Sequence, residues 1–110
     1  MRKSKRDLLE ARGWKVGSAE EFLELSPEES TFVNMKLALA RSLRERRQNR
    51  ELTQMQLAKL LGSSQSRVAK MEAADASVSM DLMVRALLAL GASAEDVAKI
   101  LGRAGEEQAA

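Results

Sequence analysis

The residues best suited to chemistry in this 110-residue chain lie between Thr53 and Glu72. Gln65, Ser66, Arg67 and Lys70 crowd one short stretch. Their amide, hydroxyl and cationic groups can bond to base edges and to phosphates. That chemistry is recognition, not catalysis. The chain has no histidine and no cysteine, which excludes histidine bases, thiolate or zinc sites and disulfides. Ser66 and Lys70 stand four residues apart on an exposed helix, not in a Ser-x-x-Lys arrangement in a pocket. The reading is therefore of a non-enzyme without a cofactor.

Two short helices and a tight turn must position these groups. Leu57 and Leu61 are four apart and share one face of the first helix, while Val68 and Met71 are three apart and share one face of the second. Ala58 is small enough to let the two helices cross closely. Gly62 ends the first helix at a position that needs positive φ. Thr53 with Gln56 forms a capping box, and Ser64 caps the second helix. This is the pattern of a helix-turn-helix, which presents a helix end to the DNA major groove. An amphipathic helical hairpin with no DNA role is the blander reading of the same periodicity.

The rest of the chain supplies the scaffold. Few β-branched residues and one proline favour an all-α fold with an aliphatic core. Ser26-Pro27-Glu28-Glu29 is a strong helix start, and the helix should run to about Asn49. Phe32, Met35, Leu39 and Leu43 make one apolar stripe on it, and Val33, Leu37 and Ala40 a second. After a polar loop, Ser79 caps a helix from Met80 to Leu90 with Leu82, Ala86, Leu87 and Leu90 inward, and Gly91 stops it. Ser93 caps a last helix from Ala94 to Leu101. Short helices are expected at Ser4 to Arg12 and Ala19 to Leu25, joined by Trp14 to Gly17.

Net charge is only +2, but it is unevenly spread. Residues 16–34 carry five glutamates and no base, whereas residues 35–72 carry nine bases, including Lys36, against three acids. Positive charge thus gathers on and just before the helix-turn-helix, as a phosphate-binding face requires. A solvated basic helix is the commoner cause of such a run. No apolar run is long enough to span a bilayer, and no signal segment is visible, so a cytoplasmic protein is expected.

Leu43, Arg47, Leu52-Thr53-Gln54, Leu57-Ala58, Leu61-Gly62-Ser63-Ser64-Gln65-Ser66, Val68, Met71-Glu72 and Leu87-Leu88-Ala89-Leu90-Gly91 resemble the Xre family, the Cro and phage-repressor type of DNA-binding domain. The resemblance covers about residues 35–101. It implies a five-helix Cro/repressor-like bundle, here with a short N-terminal helical extension. It makes Gln65, Ser66 and Lys70 the base readers, with Gln65 matched to adenine and Lys70 to guanine. Gln54 contacts phosphate in the family, and Arg44, Ser63, Ser64 and Arg67 are further backbone contacts. Arg47 and Glu72 form a structural ion pair. A homodimer on an inverted repeat follows from the short reach of one recognition helix, with Leu88, Val97, Ile100 or Leu101 as its surface or, more simply, as core.

Gly13-Trp14-Lys15-Val16-Gly17 and Phe22 to Glu29, with Ser63 to Glu72, are similar to HigA-like antitoxins. Those bind a RelE/HigB-like ribonuclease toxin and repress their own operon. Trp14, Phe22, Leu23 and Leu25 then become candidate toxin-binding residues, beside glutamates that suit a basic toxin. The chain divides on this reading into an extension at 1–26, the DNA-binding domain at 27–102 and a flexible tail at 103–110. The alternatives are a plain Xre-type regulator of the phage or restriction-modification kind, and a protein-interaction module without DNA binding.

Overall fold

The computed structural model describes residues 26–109, and every regular element among them is an α-helix. They are α1 (Pro27–Asn49), α2 (Gln54–Leu61), α3 (Gln65–Glu72), α4 (Met80–Ala89) and α5 (Ala94–Ala109). The all-α five-helix bundle is as expected. The helices proposed for Ser4 to Arg12 and Ala19 to Leu25 lie outside the described residues, as do Trp14, Phe22, Leu23 and Leu25.

Each helix starts on a side-chain cap. The Ser26 hydroxyl accepts from the Glu29 N–H at 3.1 Å, and the Ser26 N–H donates to Glu29 Oε1 at 3.1 Å. Thr53 and Gln56 repeat this box at 3.0 and 2.8 Å. Ser64 accepts from the Arg67 N–H, Ser79 from the Leu82 N–H, and Ser93 exchanges two bonds with Asp96. Such caps are each worth about 1 kcal/mol.

The ends of α1 to α4 also share one device. An N–H reaches back five residues in each: Leu52 to Arg47, Ser63 to Ala58, Asp75 to Lys70 and Ala92 to Leu87, at 2.8 to 3.1 Å. This closure needs a residue of positive φ just past the helix. Gly62 (φ 65°) and Gly91 (φ 96°) were legible as such, but Glu51 (φ 58°) and Ala74 (φ 53°) fill the same role without being glycine.

The core is aliphatic. Leu39 and Leu43 of α1, Leu57 and Ala58 of α2, Val68 and Met71 of α3, and Met83, Ala86 and Leu87 of α4 are all buried together. Each large side chain contributes about 1.5–3 kcal/mol by leaving water. Helix α1 is the central strut and packs most extensively on α5 and α4.

Three expectations need correction. Phe32 is 44 % exposed, so the buried face of α1 runs through Val33, Leu39, Ala40 and Leu43 rather than through Phe32. In α4, Met83 takes the inward position and Leu82 is only half-buried. Helix α5 does not stop at Leu101: it continues to Ala109, through the residues expected to form a flexible tail. Ala104 is wholly buried, and that anchor carries the helix past Gly102, where a glycine costs only about 1 kcal/mol against alanine.

Candidate nucleic-acid interface

Helices α2 and α3 pack through Leu57, Ala58, Val68 and Met71, which fixes the angle at which α3 leaves the domain. The turn between them is held by Gly62, and a Cβ on that glycine would meet nothing within 4 Å. Only backbone conformation, not crowding, demands glycine there.

The base of α3 is tied to α1. Arg47 Nε and Nη2 donate to the two carboxylate oxygens of Glu72 at 2.5 and 3.0 Å, and Nη1 donates to the Leu52 carbonyl at 2.7 Å. The two side chains are only 12 % and 5 % exposed. A forked guanidinium is matched to a carboxylate in this way, so the expected ion pair is present and its structural role follows from its burial.

Glu72 also holds a chain of amides. Gln54 Nε2 donates to Glu72 Oε1 at 3.1 Å, and Gln65 Nε2 donates to Gln54 Oε1 at 2.9 Å. The family resemblance implies a phosphate contact for Gln54; in the structure its carboxamide bridges the buried carboxylate and the first residue of α3. Four side chains from three helices thus run from the core to the exposed Gln65.

Ser64, Ser66, Arg67 and Lys70 line one concavity of about 270 Å³ beside α3, closed by Ser77 and Val78 of the loop before α4. The first four of these are exposed, as is Gln65. Ser63 lies in a neighbouring groove with Leu60, Gly62 and Arg67. Arg44 is exposed on α1, one turn before Arg47. Of the proposed dimer residues, Val97 and Ile100 are core, Leu101 packs against the core, and Leu88 is 47 % exposed.

The loop wall was missed by sequence reading. Asp75 Oδ1 accepts from the Ser77 N–H at 2.9 Å and from its hydroxyl at 2.7 Å. These bonds, backbone first, hold the Asp75 carboxyl below its ordinary value. The Asp-x-Ser spacing is a turn signature that could have revealed it. Lys36, counted above with the basic surface, is 3 % exposed, and its Nζ donates to the Asp75 carbonyl at 3.1 Å. Burial lowers its pKa, which the charge of Asp75 partly opposes. Lys36 therefore supports the loop from beneath and adds nothing to the outer face.

A helix pair crossing at a glycine turn, with a polar second helix exposed at its start, defines a DNA-binding helix-turn-helix protein. The chain belongs to the helix-turn-helix domain family, which matches residues 38–100. No curated protein and no solved structure matches it. No described helix is long and apolar enough to cross a membrane.

Proposed function

We propose that this protein is a sequence-specific repressor of the Xre type that binds an inverted-repeat operator as a homodimer. The observation that carries the reading is the amide chain from Glu72 through Gln54 to Gln65. It holds a bidentate reader at the exposed start of α3, where a base edge would lie. Lys70 and Ser66 complete the reading set. Ser63, Ser64 and Arg67 take phosphates, with Arg44 at the edge. Gln54 serves them through its main-chain N–H at the first position of α2, where no intrahelical partner exists.

The same protein is proposed to be the antitoxin of a RelE/HigB-like ribonuclease toxin. Support comes from charge, since residues 16–34 carry five glutamates and no base, and a toxin that handles RNA is basic. An open depression at the start of α1, formed by Pro27, Glu28, Thr31, Phe32 and Met35, lies at the described end of that stretch. Trp14, Phe22, Leu23 and Leu25 would make the apolar part of the contact. Co-expression with the product of the adjacent reading frame tests this. A stable complex that F22A/L23A abolishes is the expected result. No complex at micromolar concentration leaves a plain regulator.

A further inference from the structure

We propose that the cleft between α1 and α5 is a second phosphate-binding surface, which holds the backbone of the DNA flanking the site read by α3. The inference rests on the DNA-binding reading above and extends it.

The cleft measures about 510 Å³ and brings Arg46 and Arg50 of α1 opposite Lys99 and Arg103 of α5. Each pair is four residues apart, so each forms a two-step ladder on one helix face with a rise of about 6 Å. Glu45 and Asp96 also line it. Asp96 is committed to Arg46 at 3.3 Å and to the cap of α5. Among the described residues Arg50, Lys99 and Arg103 make no direct ion pair, although the charge of Lys99 acts on Asp96 together with that of Arg46. Gly91 lets the Arg50 guanidinium lie in the cleft, since a Cβ there would come within 2.9 Å of Nη2.

The charge inventory decides the occupant. On α2 and α3 the basic residues are only Lys59, Arg67 and Lys70. Arg47 is neutralised by Glu72, and Lys36 is buried. Two of the six bases that residues 35–52 carry before the helix-turn-helix, Arg46 and Arg50, therefore face α5 instead. Arg46 stands directly before Arg47, about 100° round the helix from the residue that ties α1 to α3, so the cleft and that tie share the C-terminal end of α1. Cations placed there meet phosphates that lie beyond the bases read by α3, and such contacts supply affinity without sequence information.

The test is anisotropy on the full chain with a long duplex from its own promoter and a short duplex trimmed to the site. K99A/R103A should lower the slope of log K against log salt by about two on the long duplex. The ranking of sequences should not change, and neither should the slope on the short duplex. K99E/R103E should weaken long-duplex binding further, with melting temperature reporting that both variants fold. An unchanged slope on the long duplex, where the wild type binds it, overturns the inference alone. Loss of poly-glutamate binding with an unchanged DNA slope also overturns it, by assigning the cleft to an acidic protein. A wild type that binds neither duplex overturns the DNA-binding reading as well.

Discussion

Gln65 Nε2 donates to Gln54 Oε1 at 2.9 Å, and Gln54 in turn donates to the buried carboxylate of Glu72. A flexible amide at the start of the recognition helix is thereby held by a residue on the preceding helix. Ordering a glutamine side chain costs up to about 2 kcal/mol, and part of that cost is met before DNA arrives. Gln54→Ala should therefore weaken binding to the operator more than to a scrambled duplex. Binding isotherms on the two duplexes at one salt concentration check this, and an equal loss on both would show that Gln54 acts through phosphate instead.

Breaking the Arg47–Glu72 pair should be severe. Arg47→Met leaves Glu72 charged and buried, which costs about 3–5 kcal/mol. Replacing both residues by apolar ones of similar size should recover much of the loss. Urea denaturation of the single and double variants measures it.

Helix ends offer a prediction of opposite sign. Glu51 sits at φ 58° with its side chain exposed. A left-handed conformation costs an ordinary residue about 1–2 kcal/mol, and glycine gives back roughly 0.5–1 through its own entropy. Glu51→Gly should thus raise stability by a few tenths to 1 kcal/mol. Gly62→Val should lower it by more than 1 kcal/mol, because φ 65° is hostile to a β-branched residue although space is free. Thermal melts of the two variants should move in opposite directions.

Three carboxyls make stability depend on acid. Glu29, Asp75 and Asp96 are held below their ordinary values, first by backbone N–H groups and then by the hydroxyls of Ser26, Ser77 and Ser93. Their folded pKa values lie below the unfolded ones, so their contribution is complete above the unfolded range near pH 4 and is lost as pH falls through the folded values. Asp96→Asn should lower the neutral plateau of a stability-versus-pH profile and so flatten its acid limb, with little change at the acid end, where the wild type has already lost this contribution.

Local chemistry made most of this fold legible. Ser26, Thr53, Ser64, Ser79 and Ser93 announce five helix starts, and Gly62 and Gly91 announce two ends, because caps and positive φ are decided within a few residues. Glu51 and Ala74 were not legible, since their conformation is imposed by what holds the loops, such as Arg47 on the Leu52 carbonyl. The direction of long side chains was equally hidden. Lys36 and Arg46 read alike in sequence, yet one enters the interior and the other a cleft, as the packing of α1 against its neighbours dictates. The exposed polar side chains at the start of α3 were visible from residue type and spacing. The amide chain behind it was not, because Gln54 reaches Gln65 and Glu72 only once three helices have packed.

Sequence-specific binding by the start of α3 is the central claim, and a direct measurement is the affinity of wild type and Gln65→Ala for the chain's own promoter and for a scrambled duplex, at one salt concentration. Wild type should prefer the promoter by about a thousandfold or more. Gln65→Ala should lose about 1–3 kcal/mol of that preference while its affinity for the scrambled duplex stays the same. Equal affinity of the wild type for both duplexes would contradict the account.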